Sequence, residues 1–161
     1  MSGYFYLQTQ LRSQFVLTID GFTVSGLLAM YPIYGGANQL WKFGPNDTLV
    51  SKMGLVADVK DGSTVPKTNC IGYFPTGADN QKWSYENGQI ISKLNDLVID
   101  ITDADTTVST PVQMWQNTGE PQQKWTLVPE SELAEKWLTQ IKFSSLSRNN
   151  HFAGFATRRT P

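Results

Sequence analysis

The chain has 161 residues but only one cysteine, Cys70, and one histidine, His151. A single cysteine excludes an internal disulfide and a cysteine zinc site, and one histidine with scattered acids makes no convincing metal set. A Cys–His nucleophile pair is conceivable, but Cys70 alternates with Ile71 and should face the core, where free cysteines usually lie. Glycine-rich phosphate loops are also lacking. We therefore expect a protein that is not an enzyme and needs no cofactor or metal.

Charge and hydropathy exclude further classes. The formal net charge is −1, so nothing attracts the chain to nucleic acid in general. Apolar runs long enough to span a bilayer are missing, and the start, MSGYFYLQTQLRSQ, lacks the basic and apolar regions of a secretory signal. We expect no nucleic-acid partner and no membrane insertion. We also expect the protein to be cytoplasmic, or released by a route without a signal peptide.

Three of the five tryptophans follow one another at equal intervals. Trp41, Trp83 and Trp125 are 42 residues apart and end the motifs NQLW, NQKW and QQKW. The period extends beyond them, because GLVADV begins at Gly54 and DLVIDI begins 42 residues later at Asp96. A fixed period of this length indicates an internal repeat.

Each repeat is a run of short β-like segments rich in Val, Ile, Leu and aromatic residues, separated by turn motifs such as KDG, ENG and LND. The sequence predicts an all-β fold with about four strands per repeat. The three repeats, placed at about 4–44, 45–86 and 87–128, should close around one axis, because none can bury its apolar face alone. The first copy is looser: FVLTID aligns with the others only if about two residues are missing after it.

The pattern changes at Pro129. In PESELAEKWLTQIKF, Leu133, Trp137 and Ile141 recur at four-residue steps with Leu138 beside them, which predicts a short helix with an apolar face. We therefore predict a domain over 1–128 and a C-terminal helix and tail over 129–161. The apolar face must be covered, either by the chain's own domain or by a homodimer formed through this segment.

The three motifs resemble those of the ricin-B-type β-trefoil lectins, which carry Gln-x-Trp three times at a period near 40 residues. The likeness covers residues 4 to about 128. It implies a β-trefoil with pseudo-threefold symmetry. It also implies that Trp41, Trp83 and Trp125 pack in the core near the axis, while the motif glutamines support the local backbone.

The family often bridges each repeat with a disulfide. The corresponding pairs here are Val16 and Ile33, Val56 and Pro75, and Val98 and Asn117. A trefoil without disulfides suits a reducing compartment.

Two repeats carry an acid, an aromatic residue and an amide at 25, 10 and 3 residues before the motif tryptophan. The two sets are Asp58, Tyr73 and Asn80 in the second repeat and Asp100, Trp115 and Gln122 in the third. Strand alternation turns both acids away from their apolar neighbours and toward solvent. A carboxylate and an amide suit sugar hydroxyls, and a flat aromatic ring suits the C–H face of a galactose-type sugar.

By resemblance, the acids accept hydrogen bonds from sugar hydroxyls, the rings stack under the sugar, and Asn80 adds a donor. Gln81 and Gln123 would support the two sites. Gln113 matches a position that reaches a further hydroxyl, whereas its counterpart Ile71 offers only apolar contact. Gln122 stands where the family has Asn. An interpretation as ordinary turn acids and rim aromatics stays open beside this one.

The first repeat keeps only part of the pattern. Tyr31 and Asn38 stand ten and three residues before Trp41, but Thr18 takes the acid position, with Asp20 two residues on. A hydroxyl is a weaker acceptor than a carboxylate. We therefore expect the first site to be weak or inactive.

The sequence thus predicts a multivalent, carbohydrate-binding lectin with shallow sites in repeats two and three. Its partners would be glycans with terminal galactose or N-acetylgalactosamine. The galactose preference rests on the resemblance, since the spacing alone indicates only a polyol with an apolar face. Two other interpretations remain: a trefoil that binds proteins, such as a protease inhibitor, and a targeting module of a toxin or glycosidase.

Overall fold

The computed structural model describes residues 3–132. Over that range the chain forms twelve strands, four in each predicted repeat. The first four are β1 (Phe5–Thr9), β2 (Phe15–Ile19), β3 (Leu28–Pro32) and β4 (Trp41–Phe43). The next four are β5 (Leu49–Ser51), β6 (Val56–Val59), β7 (Cys70–Tyr73) and β8 (Trp83–Glu86). The last four are β9 (Gln89–Ser92), β10 (Val98–Ile101), β11 (Val112–Trp115) and β12 (Trp125–Pro129).

Short 3-10 turns join the strands at repeating places. The turns are Asp20–Phe22, Ala37–Gln39, Pro45–Asp47, Lys60–Gly62, Asp79–Gln81, Thr102–Ala104 and Pro121–Gln123. Neighbouring strands pair antiparallel throughout the described range. The all-β fold predicted from the short apolar segments is therefore confirmed.

A ring of equivalent backbone hydrogen bonds joins the three repeats. In each repeat a residue with positive φ donates its N–H to a strand of another repeat, at 2.8–2.9 Å. The pairs are Ser25 with Gly72, Lys67 with Met114, and Ser109 with Met30. The φ angles of the three donors are 66°, 71° and 70°, a conformation uncommon for residues other than glycine. The 42-residue period of the sequence is thus a threefold closure in space.

The motif tryptophans occupy equivalent places in one core. Trp41, Trp83 and Trp125 expose 0, 2 and 0% of their surface. Each indole N–H donates to a carbonyl in the second strand of its own repeat: Leu17 at 3.0 Å, Ala57 at 3.0 Å and Ile99 at 3.4 Å. The separation in sequence is 24 residues in the first repeat and 26 in the others. This matches a first repeat shorter by two residues.

Cys70 lies in β7 with its side chain fully buried, and its Sγ contacts Met114 Sδ at 3.3 Å. The core-facing orientation expected from strand alternation is confirmed. Burial raises the pKa of the Cys70 thiol far above its ordinary value. A protonated, enclosed thiol is a poor nucleophile.

By its internal contacts the chain divides into two compact units, Met1–Val128 and Pro129–Pro161. Residues 130–132 are helical where the described range ends. The predicted apolar helix positions Leu133, Trp137, Leu138 and Ile141 lie outside the described residues, as does His151. The predicted domain organisation and the homodimer through the C-terminal segment stay predictions.

Candidate functional site

Asp58 and Tyr73 lie on the same face of the β6–β7 ladder. Asp58 pairs with Ile71, while Tyr73 stands two residues further along β7 and pairs with Val56. Diagonal neighbours of this kind lie about 7–8 Å apart, within reach of an aromatic side chain. Both residues line one cleft of about 680 Å³, together with Asn80. The structure therefore brings the three predicted second-repeat residues together.

Two amides hold the Asp58 carboxylate. Asn80 Nδ2 donates to its Oδ1 at 3.2 Å, and Gln81 Nε2 donates to its Oδ2 at 2.8 Å. Gln81 also donates to the Phe74 carbonyl at 2.9 Å and accepts from the Thr76 N–H at 2.8 Å. The motif glutamine therefore fixes both the carboxylate and the loop after β7.

Both acids are much less exposed to solvent than strand alternation predicts. Asp58 and Asp100 expose only 5% and 3% of their surface. Strand alternation gives the face of the sheet, but it does not show that the motif loop folds back over the acid so that its amides can reach it. Asp58 forms part of the cleft wall rather than projecting from it.

Burial changes the acidity of both carboxyls. Desolvation raises the pKa of Asp58 above its ordinary value, hydrogen bonds from Gln81 and Asn80 partly offset this, and the charge of Asp61 raises the pKa further. Desolvation likewise raises the pKa of Asp100, against hydrogen bonds from Gln123 and Gln113 and with the charges of Glu120 and Asp103. Both acids are harder to ionise than a surface aspartate.

The third repeat builds the same diagonal on the β10–β11 ladder. Asp100 pairs with Gln113, and Val98 pairs with Trp115. Gln113 Nε2 donates to Asp100 Oδ1 at 3.2 Å, and Gln123 Nε2 donates to Asp100 Oδ2 at 3.0 Å. Trp115 is half-buried, which leaves part of its ring accessible beside the carboxylate.

Gln122 does not take the place of Asn80. Its Nε2 donates to Glu120 Oε2 at 2.7 Å, and the amides on Asp100 come from Gln113 and Gln123. In this structure Gln122 is therefore not bonded to Asp100 as Asn80 is to Asp58, and its role as a sugar-binding residue stays a prediction. The longer side chain finds an acid two residues away, where the second repeat has Ala78 and offers no such partner.

Thr18 occupies the place of the two acids in the first repeat. It pairs with Ala29, and Val16 pairs with Tyr31. Thr18 is 1% exposed, and its hydroxyl donates to the Val16 carbonyl at 3.0 Å and accepts from Gln39 at 3.3 Å. Tyr31 donates its hydroxyl to Asp20 Oδ1 at 2.8 Å. The hydroxyl of Thr18 is thus enclosed by the chain's own groups.

Two aromatic rings stand where the second repeat has its cleft. Phe22 and Tyr34 are 54% and 48% exposed, with ring centroids 6.5 Å apart. By the repeat alignment they correspond to Gly62 and Thr76, which line the second cleft. A Cβ added at Gly36 would meet both rings, at 2.5 Å from Tyr34 Cε2 and 2.9 Å from Phe22 Cζ. The rings are therefore packed against the turn at Gly36. The corresponding residue of the second repeat is Ala78, which lines the open cleft.

Asn38 is also withdrawn into the protein. It is 1% exposed, and its Nδ2 donates to the Ile19 carbonyl at 2.9 Å and to the Tyr34 hydroxyl. Its Oδ1 is buried without a hydrogen-bond partner. The predicted amide of the first site thus donates to the hydroxyl of Tyr34, one of the two rings that occupy this site.

Sequence reasoning missed four residues at the two sites, two of which come from another repeat. Ser25, Lys60 and Asp61 line the second cleft, and Lys67 Nζ lies 5.8 Å from the centroid of the Trp115 ring. Ser25 and Lys67 come from the repeat before the site they reach. The 42-residue spacing between them is a signal in the sequence, but the acid–aromatic–amide pattern of each site lies within one repeat.

Other kinds of site find no support among residues 3–132. Clusters of three or more histidine, cysteine or acidic side chains that would hold a metal ion are not found in this range. Within the same residues, no helix has the length and apolar character required to cross a bilayer.

Comparisons with known proteins agree with the fold. A family model described as the ricin-type beta-trefoil lectin domain matches residues 3–125. The designed threefold-symmetric protein ThreeFoil aligns with a TM-score of 0.71 and 27% identity, over 79% of this chain and 99% of that one. The C-half of an earthworm R-type lectin, solved in complex with GalNAc, aligns with a TM-score of 0.66 and 21% identity, over 80% and 99% of the two chains.

A third structure is the Polyporus squamosus lectin, solved bound to the human-type influenza-binding epitope Neu5Acα2-6Galβ1-4GlcNAc. It aligns with a TM-score of 0.63 and 27% identity, over 78% of this chain and 48% of that one. No curated protein matches the chain by sequence. The β-trefoil predicted from three Gln-x-Trp motifs is confirmed.

Proposed function

Because the chain belongs to the ricin-type β-trefoil lectin family, we propose that it binds glycans ending in galactose or N-acetylgalactosamine. The binding sites are the cleft of the second repeat and its equivalent in the third. Binding proceeds without catalysis and without a cofactor.

The second-repeat cleft carries this proposal. A galactose-type ring presents C–H groups on one face and neighbouring hydroxyls on its edge, so it needs an aromatic surface next to a strong acceptor. Tyr73 is 36% exposed and lies diagonal to Asp58 in the same cleft. An ionised carboxylate has about four acceptor positions. Asn80 and Gln81 use one on each oxygen, which leaves capacity for sugar hydroxyls.

The third repeat supports a second site of altered preference. Asp100 and Trp115 repeat the acid–aromatic diagonal, but Gln113 replaces Ile71 beside the acid. Gln113 donates one of its two amide N–H groups to Asp100, so its second N–H and its carbonyl oxygen are left to meet a ligand. Gln122, turned toward Glu120, would have to swing back to reach a sugar.

The first repeat is proposed to be inactive. Thr18 supplies no carboxylate, and its hydroxyl already has a donor and an acceptor within the protein. Phe22 and Tyr34 fill the volume that Gly62 and Thr76 leave open in the second repeat. Two sites per chain therefore remain.

Shallow sites of this kind are weak. A dissociation constant of ~0.1–1 mM corresponds to about 4–5 kcal/mol. Two such sites on one rigid domain strengthen binding to a surface that carries many copies of the sugar, since the second contact forms at high effective concentration. Dimerisation through the C-terminal segment, which stays a prediction, would double the number of sites.

Glycoside hydrolysis fits the arrangement poorly. A glycosidase places two carboxylates about 5–10 Å apart across one bond. Asp58 and Asp100 belong to separate ladders, β6–β7 and β10–β11, and each is held by its own two amides. Binding without bond cleavage is the role that these acids support.

A glycan array with three proteins tests the proposal against a protein-binding scaffold. The proteins are wild type, Asp58→Ala/Asp100→Ala, and a control, Asp47→Ala/Asp79→Ala, which removes the same charge at side chains 54% and 68% exposed. We expect wild type and control to bind glycans with terminal galactose or N-acetylgalactosamine and the first double variant to bind none. A wild-type protein that binds no glycan, or a site variant that binds like the control, would contradict the proposal.

A further inference from the structure

Each repeat contributes one side chain to the site of another repeat. Ser25, Lys67 and Ser109 occupy equivalent positions in left-handed turns, and each N–H is bonded to a strand of the receiving repeat. Because the backbone is fixed in the same way three times, the three side chains leave it at the same place relative to each site. Ser25 lines the second cleft, Lys67 approaches Trp115, and Ser109 lies near enough to Tyr31 to offset part of the rise in the pKa of that hydroxyl.

Only one of these three residues carries a charge. Lys67 is exposed, and its ammonium lies 5.8 Å from the Trp115 ring centroid. By contrast, the Arg12 guanidinium lies 3.7 Å from the centroid of the Phe15 ring and covers it directly. The Lys67 ammonium therefore lies over the Trp115 ring, but less closely than Arg12 lies over Phe15, so a ligand that reaches this ring meets a cation there.

The third site also contains acidic groups. Asp103 and Glu120 act on the Asp100 carboxyl, and Glu120 accepts from Gln122. Trp115 is the diagonal neighbour of Asp100 on the ladder, about 7–8 Å away, and the Lys67 ammonium lies over its ring. A sugar that stacks on Trp115 and turns hydroxyls toward Asp100 would therefore have both acidic groups and a cation around it.

We propose that Lys67 makes the third site selective for a galactose-type ring that carries an anionic group. The anion is a sulfate ester on the ring or the carboxylate of an attached sialic acid, since both present oxygens that an ammonium binds by charge-assisted hydrogen bonds. The second site, with Ser25 at the same position, takes the neutral sugar. This selectivity rests on the proposed function, because it names the ligand class of a site already assigned to sugar.

The third site can be observed alone in the full-length chain with Asp58→Ala. The indole N–H signal of Trp115 in a ¹H–¹⁵N spectrum, assigned with Trp115→Phe, follows each titration. The probes are lactose as the neutral ligand, 3′- and 6′-sulfated lactose, and 3′- and 6′-sialyllactose. The two kinds of anion distinguish a ring sulfate from a sialic acid carboxylate.

We expect at least one anionic ligand to bind about two- to fivefold more tightly than lactose at low salt, as for one exposed ionic contact. The difference should narrow at high salt because the pair is solvent-exposed. Lys67→Ser, which installs the residue found at positions 25 and 109, should remove the difference, and Lys67→Arg should keep it. Ser25→Lys with Asp100→Ala should give the second site the same preference.

Two failures would be distinguishable. If lactose and every anionic ligand leave the Trp115 signal unmoved, the third site does not bind galactosides, and both the proposed function of this repeat and the selectivity are wrong. If lactose binds but anionic ligands bind no more tightly, or if the difference survives Lys67→Ser, only the selectivity is overturned.

Discussion

Asp58 and Tyr73 lie one diagonal apart on the same sheet face, and Asp100 and Trp115 repeat this relationship 42 residues later. The diagonal follows from the antiparallel register, because the direct partners of the two acids are Ile71 and Gln113 and each aromatic residue comes two positions after. A 15-residue separation in sequence is thus converted into side-chain proximity by a single hairpin. Formation of the hairpin is thus enough to bring the acid and the aromatic residue of each candidate site together.

Replacement of two tryptophans that lie ten residues apart should have different effects on the protein. Trp125 is fully buried and donates to the Ile99 carbonyl, so Trp125→Ala should lower the free energy of unfolding by about 3–5 kcal/mol. Trp115 is half-buried at the candidate site, so Trp115→Ala should lower it by only about 1 kcal/mol while weakening sugar binding at the third site. Urea denaturation and sugar titration of both variants measure this. Equal losses of stability would show that Trp115 is a core residue.

Sugar binding should weaken in mild acid. Burial raises the pKa of Asp58 and of Asp100 above the ordinary 3.8, so both carboxylates protonate at a higher pH than surface aspartates do. A protonated carboxyl loses charge and acceptor capacity toward hydroxyls. Titrations at successively lower pH, with the fold followed by circular dichroism, should show that affinity for the sugar begins to fall before the pH reaches 3.8. The loss should be reversible, and the protein should stay folded. Affinity that is constant down to that pH would contradict an acceptor role.

The same raised pKa values predict how stability changes with pH. Between 3.8 and the native-state pKa, the native protein binds more protons than the unfolded chain. The contribution of these acids to stability is therefore present at low pH and is lost as pH rises through the native-state pKa. Asp58→Asn/Asp100→Asn removes this dependence. Its stability relative to wild type should be highest near neutral pH and should decline as pH falls toward 4, as measured by urea denaturation. A relative stability that rises in acid would have the wrong sign.

The repeat period carried most of the fold, while the state of each site depended on contacts across the chain. The period indicated three equivalent all-β repeats around one core, and the resemblance of the three Gln-x-Trp motifs to those of the ricin-B-type lectins implied the β-trefoil. The burial of Asp58 could not be predicted from the sequence, because it depends on the loop that carries Asn80 and Gln81 folding back onto the carboxylate. The place of Lys67 at the third site was not predicted, because a backbone hydrogen bond from its N–H to the Met114 carbonyl holds it against the next repeat.

The first repeat shows the same limit from the other side. The sequence identified the missing acid at Thr18, but not the rings that occupy the pocket. Phe22 adopts φ 51° where Gly62 and Ala104 adopt 62° and 51°, so the turn is shared and only the side chain differs. A pattern restricted to acid, aromatic residue and amide gives no weight to a residue whose effect is to fill space.

Restoring the first site should therefore require three changes. Thr18→Asp/Phe22→Gly/Tyr34→Thr copies Asp58, Gly62 and Thr76 of the second repeat, and it should add one sugar-binding site per chain by supplying an acceptor and emptying the cleft. Thr18→Asp alone should add none, because the rings remain. Binding stoichiometry measured in the Asp58→Ala/Asp100→Ala background reports the new site directly. Full binding from the single change would show that Phe22 and Tyr34 do not close it.

The number of sugars bound per chain is the quantity that most directly separates two working sites from none. Calorimetric titration with a galactoside should give two sites for wild type, one for Asp58→Ala, one for Asp100→Ala, and none for the double variant, with Asp47→Ala/Asp79→Ala unchanged at two. Undiminished binding by the double variant would contradict the account.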